Sequence, residues 1–248
     1  MFTSDLIRAL DVDQFACDVG LILDPWQSRL LSSQSRKIAL LCSRQSGKSS
    51  AVALLALWTA IYDPGLILLF SPSQRQSGEL FRKVIDYLRA LPDPPEIAHE
   101  SILRLELRNG SRIISLPGSE ATVRGYSGAR AVIVDEAARV PDELMASIRP
   151  ILATSNGRLI ALSTPAGKRG WFHGIWTEGA DWERTLITAA DCPRISEDFL
   201  RDELRELGPT RYAEEYLCEW LDDALSVFSL DLITAAVSDD FPPLWPGS

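Results

Sequence analysis

The sequence predicts an α/β fold in which helices flank a central, mainly parallel β-sheet. Short apolar runs alternate with amphipathic segments along the chain, which is the pattern of a parallel sheet packed against helices. Each run is also short and continuously apolar, as expected of a strand that is buried on both faces. Four such runs are the predicted central strands, at residues 38–41, 66–70, 131–134 and 159–162.

Composition limits the class of protein. With 248 residues, 46% hydrophobic and 24% charged, the chain can bury a sizeable core and is predicted to be one soluble domain with a small appendage. No apolar run reaches the roughly 18 residues needed to cross a bilayer, and the N-terminus is acidic where a signal peptide is basic. Four scattered cysteines and two histidines lack zinc-ligand spacing, so we expect a reduced cytoplasmic protein without a structural metal.

The charge balance bears on nucleic-acid binding. A net charge of −9 disfavours tight binding of DNA through bulk electrostatics, because neutralising phosphates requires clustered Lys and Arg. We therefore expect any contact with DNA to be local, transient or shared with other subunits. The basic loop at residues 167–170 is one candidate contact, with an ordinary solvated turn as the alternative.

Further elements are predicted from local patterns. Helices are expected at residues 49–62 and 77–91, the second ending at the proline cluster 91–95. Alternation on both sides of Asn109 and Gly110 predicts an antiparallel hairpin over residues 102–116, with both turn residues at positive φ. After about residue 180 the strand signal fades, and helices are expected at 196–207 and 210–221, separated by Gly208 and Pro209. We predict a core over residues 1–180 and a lid or linker subdomain over residues 181–248.

A phosphate-binding loop is predicted between the first strand and the following helix. Backbone N–H groups of such a loop and the N-terminus of the helix face the phosphates. Lys48 is predicted to reach the β- and γ-phosphates, and Ser49 to ligate Mg²⁺. Cys42 replaces the first glycine of the full GxxxxGK[ST] pattern, so an ordinary strand-to-helix turn is the alternative interpretation. The other predicted nucleotide-binding residues of the loop are Ser43, Arg44, Gln45, Ser46, Gly47 and Ser50.

An acidic pair follows the third predicted strand. This strand delivers Asp135 and Glu136 to its C-terminal end, the edge at which open α/β sheets bind ligands. Asp135 is predicted to hold Mg²⁺, and Glu136 to orient or deprotonate the attacking water. Acidic residues also cap helices in many unrelated proteins, so the upstream loop is what makes this motif specific. Together the two motifs predict a P-loop NTPase of the ASCE, RecA-like type that uses ATP and Mg²⁺.

Four motifs in the same order resemble the ATPase domain of tailed-phage terminase large subunits, a family that includes prophage and gene-transfer-agent proteins. The motifs are "DPWQ" at 24–27, "SRQSGKS" at 43–49, "VIVDEAA" at 132–138 and "LSTPAGKRG" at 162–170. The resemblance spans about residues 20–220. Phosphate loops of this family often lack the first glycine, so Cys42 is compatible with membership.

The resemblance implies roles for five further residues. Gln27 resembles the family's adenine-contacting glutamine, and Arg44 resembles the extra arginine near the phosphates. Thr164 resembles the motif that couples hydrolysis to movement of the lid. An arginine upstream of the acidic strand acts on a neighbouring subunit's ATP; Arg124 matches that position, and Arg130 is the second candidate. A guanidinium suits this role because it stays charged and can bridge phosphate oxygens.

The resemblance also implies a function and partners. The chain is expected to be the ATPase motor that translocates double-stranded DNA into a procapsid, in the cytoplasm of the bacterial host. The expected partners are the portal and the small terminase subunit, and the chain is expected to be a monomer in isolation and a homo-oligomeric ring when assembled. The family's nuclease domain has no counterpart in these residues, where Asp239–Asp240 is the only late acidic pair, so we expect no DNA cleavage.

Two other functions are compatible with parts of the sequence. A helicase-like or remodelling DNA translocase shares the nucleotide chemistry, but "DPWQ" and Arg44 disfavour it. A nucleotide-gated assembly module with little turnover needs no catalytic base, so the presence of both Lys48 and Glu136 disfavours that function.

Overall fold

The structure is a computed structural model that describes residues 2–117 and 125–222 of the chain. Arg124, the pair Asp239–Asp240 and the C-terminal part of the predicted lid lie outside the described residues. Across the described ranges, no helix is long and apolar enough to cross a bilayer.

Within the described residues, eight strands form one sheet. They are β1 (Lys37–Cys42), β2 (Leu66–Ser71), β3 (Ile97–Glu100), β4 (Arg104–Leu107), β5 (Arg112–Pro117), β6 (Ala129–Asp135), β7 (Arg158–Ser163) and β8 (Glu183–Ile187). Their order is β3-β4-β5-β2-β6-β7-β1-β8. From β5 to β8 in this order, each pair of neighbouring strands is parallel, whereas β3 pairs with β4 and β4 with β5 in antiparallel orientation. The predicted α/β class and all four predicted central strands are confirmed.

Helices cover both faces of the sheet. They are α1 (Phe2–Leu10), α2 (Val12–Asp18), α3 (Pro25–Ser32), α4 (Lys48–Tyr62), α5 (Gln74–Ala90), α6 (Asp142–Leu152), α7 (Gly170–Glu178) and α8 (Glu197–Leu217). One apolar core lies between the sheet and α2 to α5, and a second lies between the opposite face and α6 and α7. Ile38 and Leu40 pack into the first core and Ala39 and Leu41 into the second, which explains why β1 is continuously apolar.

The hairpin between β4 and β5 is confirmed, but its turn differs from the prediction. The N–H of Gly110 donates to the carbonyl of Leu107 at 3.0 Å, and of the two predicted turn residues only Gly110 has positive φ, 89°. The expectation that Asn109 also has positive φ is therefore wrong. The glycine follows a tight turn as a bulge residue, and the Asn109 side chain instead donates to the carbonyl of Ala60 at 2.8 Å, which ties the hairpin to α4.

A strand that the sequence analysis did not predict lies beyond residue 180. β8 pairs in parallel with β1, with Cys42 opposite Ile187, and extends the sheet by one strand. Most residues of β8 are exposed and it carries Glu183 and Arg184, as is usual for an edge strand, so it shows no continuous apolar run. The division into residues 1–180 and 181–248 stays a prediction, although β8 joins residues 183–187 to the sheet of the core.

The C-terminal helix is interrupted where expected. α8 contains a non-helical residue, Gly208, with φ 73° and ψ 164°, followed by Pro209. Glycine tolerates this left-handed φ, and proline cannot donate the backbone hydrogen bond that a continuous helix requires. The predicted helix 196–207 is confirmed, whereas the second helical segment ends at Leu217, four residues before the predicted end at residue 221.

Candidate active site

Three parallel strands end at one edge of the sheet and bring the predicted motifs together. β7 lies between β1 and β6, so the ends of all three are neighbours, with Thr164 following the central one. A cavity of about 590 Å³ opens at this edge. Its lining residues are Arg44, Gln45, Ser46, Gly47, Lys48, Ser49, Ser50, Gln76, Lys83, Glu136, Arg139, Thr164 and Glu215. Most of the predicted loop therefore faces this cavity.

The loop between β1 and α4 has the backbone conformation of an anion-binding turn. Gln45 and Gly47 have positive φ values of 59° and 85°, and α4 begins directly after Gly47. Because glycine has no side chain to cap the first N–H groups of α4, these remain available to an anion. A Cβ at Gly47 would lie 2.7 Å from Arg194 Nη2 and 3.0 Å from Gln27 Nε2, both at the ends of flexible side chains, so it is mainly the left-handed backbone conformation that favours glycine here.

Lys48 and Glu136 form an ion pair at the floor of the cavity. The distance between Lys48 Nζ and Glu136 Oε1 is 3.0 Å, and both side chains are largely buried. Burial acts to lower the pKa of Lys48, but the charges of Glu136 and Asp135 outweigh it and raise that pKa above its ordinary value. Lys48 therefore keeps its charge, as a ligand for phosphate must.

Ser49 and Asp135 form a second contact beside the cavity. Ser49 Oγ donates to Asp135 Oδ2 at 3.2 Å, and the N–H of Glu136 donates to Asp135 Oδ1 at 3.0 Å. Asp135 is only 6% exposed. Burial raises its pKa to about 6, the charge of Glu136 adds to this effect, and Lys48 opposes it. The two side chains thus present adjacent oxygens, the ligand type that hard divalent cations prefer.

Glu136 has an unusual backbone and a second cationic partner. Its φ and ψ are 53° and 43°, the left-handed region that is uncommon for a residue other than glycine. Arg139, in the short 3₁₀ helix Ala137–Arg139, donates through Nη1 to Glu136 Oε2 at 2.8 Å and to Thr164 Oγ1 at 2.8 Å. Sequence reasoning missed Arg139; its spacing of three residues after Glu136 is the local signal that could have suggested it.

The cavity is locally basic in an acidic chain. Lys83, on α5, donates to Ser50 Oγ at 3.2 Å and was also missed from the sequence. Two acidic side chains line the cavity, Glu136 and Glu215, against four basic ones. The basic residues are Arg44, Lys48, Lys83 and Arg139. A concentration of positive charge here, in a chain of net charge −9, suits a polyanionic ligand.

The "DPWQ" segment is connected to the phosphate loop by hydrogen bonds. Gln27 is buried; its Oε1 accepts from the N–H of Asp24 at 2.9 Å, and its Nε2 donates to the carbonyl of Gly47 at 3.4 Å. Arg194 Nη2 lies 2.6 Å from Asp24 Oδ2 and donates to the carbonyl of Ser46 at 3.2 Å. In this structure, the oxygen and the nitrogen of the Gln27 side-chain amide both form hydrogen bonds within the protein. The contact of Gln27 with adenine stays a prediction.

The remaining predicted residues have separate positions. The backbone N–H of Arg44 donates to the backbone carbonyl of Glu215 in α8 at 2.8 Å, and the Arg44 guanidinium lies 3.6 Å from the side-chain carboxylate of Glu215. Ser43 is buried behind the loop and donates through its N–H to Ile187 at 2.8 Å. Arg130 lies near the start of β6, at the opposite end of this strand from Asp135, where its Nε donates to Asp63 at 2.7 Å.

The site combines a strand, loop and helix that carry Lys48 and Ser49 with a second strand, β6, that ends at Asp135 and Glu136 and is separated from β1 by β7. This arrangement defines a P-loop nucleoside triphosphatase. The family model "Terminase large subunit, T4likevirus-type, N-terminal" matches residues 39–235, and the chain belongs to this family. Membership makes the chain the ATPase part of a viral DNA-packaging motor.

Solved structures share this fold. The large terminase ATPase domain of Thermus phage P74-26 is 22% identical with a TM-score of 0.71, covering 84% of this chain and 98% of that one. The large terminase of a thermophilic bacteriophage in complex with ADP is 14% identical with a TM-score of 0.65, covering 80% and 54% of the two chains. The large terminase of bacteriophage HK97 is 19% identical with a TM-score of 0.65, covering 81% and 51%. A search of curated protein sequences finds no match.

Proposed function

We propose that this chain binds ATP with Mg²⁺, hydrolyses it within a ring of identical subunits, and thereby drives double-stranded DNA into a procapsid. The observation that carries the proposal is the joint placement of Lys48, Ser49, Asp135 and Glu136 at one edge of the sheet of a terminase-family domain. The portal and the small terminase subunit are the proposed partners, and the cytoplasm of the bacterial host is the proposed location.

The phosphates of ATP are proposed to lie at the N-terminus of α4. The loop N–H groups and Lys48 would bind the β- and γ-phosphates, while Arg44 and Lys83 add positive charge at the rim. Gln27 lies behind Gly47 and is the proposed residue on the adenine side. A related terminase has been solved with ADP and with ATP-gamma-S, which supports nucleotide binding by this fold.

Ser49 and Asp135 fit a magnesium ion. Their oxygens lie 3.2 Å apart, with one carboxylate and one hydroxyl available. In the described part of the chain, no group of three or more His, Cys, Asp or Glu side chains could hold a metal by itself, so the remaining ligands would be phosphate oxygens and water. When bound, Mg²⁺ would neutralise charge on the β- and γ-phosphates.

Glu136 is the proposed general base. Its carboxylate would accept a proton from water as the water oxygen bonds to the γ-phosphorus and the bond from that phosphorus to the bridging oxygen of ADP breaks. Lys48 must leave Glu136 to reach the phosphates, and its departure frees Oε1 to accept the proton. Thr164, at the same edge, is proposed to detect loss of the γ-phosphate and to couple it to α8.

Replacing Ser49 by Ala tests the proposed metal site. We expect the Mg²⁺ concentration that gives half-maximal ATPase activity to rise about tenfold, because one oxygen ligand is lost while Asp135 remains. Titration of Mg²⁺ at saturating ATP measures this shift. Ser101→Ala, at an exposed position in a loop, is the matched control. An unchanged Mg²⁺ requirement in Ser49→Ala would show that Ser49 does not bind the ion.

A shared active site in a ring tests the motor itself. Steady-state ATP hydrolysis is expected to rise more steeply than in proportion to protein concentration, with at least a tenfold gain in specific activity, because a neighbour's arginine stabilises the transition state. Arg124→Ala should lose this gain but keep the low basal rate.

Mixing two variants makes the test decisive. Arg124→Ala keeps its own Glu136, and Glu136→Gln keeps its own Arg124, so a mixture should hydrolyse ATP faster than the sum of the two separate rates. Specific activity that is independent of concentration, with no recovery on mixing, would contradict the shared site. Strand displacement on a forked duplex would instead favour a helicase-like translocase.

A further inference from the structure

We propose that Arg139 is a positioning residue for hydrolysis, which holds the Glu136 carboxylate and links it to Thr164. A single nitrogen, Nη1, donates to Glu136 Oε2 and to Thr164 Oγ1, both at 2.8 Å. This inference rests on the proposed role of Glu136 as general base and extends it to a residue that no sequence motif assigned.

Glu136 needs an anchor once ATP is bound. Lys48 contacts Oε1 and Arg139 contacts Oε2, so the carboxylate is held from both sides. When Lys48 turns to the phosphates, Arg139 is the cation among the described residues that still contacts Glu136. It would keep Oε2 fixed and leave Oε1 facing the place that Lys48 has left, as a base requires.

The contact to Thr164 connects Arg139, and through it Glu136, to the end of β7. Thr164 is 3% exposed and follows β7, the strand between β1 and β6. Its hydroxyl accepts a hydrogen bond from Arg139 and can direct its own proton into the cavity that it lines. A displacement of Thr164 when the γ-phosphate is lost would therefore move the guanidinium and, with it, the Glu136 carboxylate.

A purely structural role explains less of this geometry. The Arg139 side chain is 42% exposed, and an ion pair at such a position contributes little to folding stability. A restraint that keeps Glu136 inactive is the opposite functional role. It is disfavoured because Arg139 lies in the 3₁₀ helix directly after Glu136, whereas Lys48 is the partner that must leave to reach the phosphates.

Substitution of Arg139 distinguishes these roles. Arg139→Ala is expected to lower kcat for ATP hydrolysis at least tenfold, with KM for ATP changed less than threefold and no fall in the temperature of unfolding. Because one nitrogen makes both contacts, a lysine ammonium can imitate it, so Arg139→Lys should recover at least a third of the wild-type kcat. Arg205→Ala removes another exposed arginine paired with an acid three residues earlier and should match wild type.

The link to Thr164 is tested by combining substitutions. Thr164→Val should lower kcat, and the double variant Arg139→Ala, Thr164→Val should be no slower than the slower single variant, because both remove one connection. Multiplied effects would overturn the link between the two residues. A wild-type kcat in Arg139→Ala, a raised kcat, or an effect confined to KM would overturn the positioning role. A wild-type chain without any ATP hydrolysis would instead contradict the proposed function as a whole.

Discussion

Replacing Glu136 by Gln is expected to lower kcat for ATP hydrolysis by about 10²- to 10⁴-fold, the usual contribution of a general base. The amide keeps the size of the side chain but cannot accept the proton of the attacking water. Nucleotide affinity should stay equal or rise, because the amide no longer holds Lys48 in the ion pair seen at 3.0 Å. Single-turnover hydrolysis and equilibrium binding of a labelled ATP analogue measure the two effects separately.

The control for this experiment is Glu206→Gln, which makes the same chemical change at an exposed position of α8. Its kcat should equal that of the wild-type chain. If Glu136→Gln kept more than a tenth of the wild-type rate, another group would have to be the base. The proposed role of Arg139 in positioning Glu136 would then be wrong as well.

Replacing Lys48 by Ala is expected to lower kcat by about 10²- to 10³-fold, the range found when a preorganised charge-stabilising donor is removed. Unlike Glu136→Gln, it should also weaken ATP binding, since Lys48 contacts phosphate in the ground state as well as in the transition state. Without its cation, the largely buried Glu136 keeps Arg139 as a partner, so we expect the fold to persist.

Initial rates over a range of ATP concentrations, with circular dichroism as a check of folding, measure this result. Lys37→Ala is the matched control. Lys37 begins β1, the strand that precedes the phosphate loop, at the end of the strand far from the site, and it pairs with Asp181. Normal turnover in Lys48→Ala would show that the loop after β1 does not bind the reacting phosphates.

The central strands and the main contacts of the site could be predicted because their signals are local. β1, β2, β6 and β7 are buried on both faces and therefore read as continuous apolar runs. Parallel strands end at a common edge, so polar residues directly after them had to meet. The structure places Lys48 against Glu136 and Ser49 against Asp135, although their chemical roles stay predictions until the variants are measured.

Elements without a local signal were missed. β3 and β8 are edge strands with mainly exposed residues, so apolar periodicity does not mark them. Lys83 reaches Ser50 from 33 residues away, and Arg194 reaches Ser46 from 148 residues away. Such contacts depend on how α5 and the segment before α8 pack against the loop, which only the tertiary structure determines.

The ion pair between Lys48 and Glu136 also bears on the order in which subunits of the proposed ring act. While Lys48 is paired with Glu136, the phosphate-binding cation and the base neutralise each other, and the base is not available to activate water. An arginine from a neighbouring subunit would then have no transition-state charge on a phosphate to stabilise. Binding of ATP, more than contact between subunits, would then decide which subunit of the ring hydrolyses next. A subunit without ATP would delay the cycle but would not cause hydrolysis that is uncoupled from DNA movement.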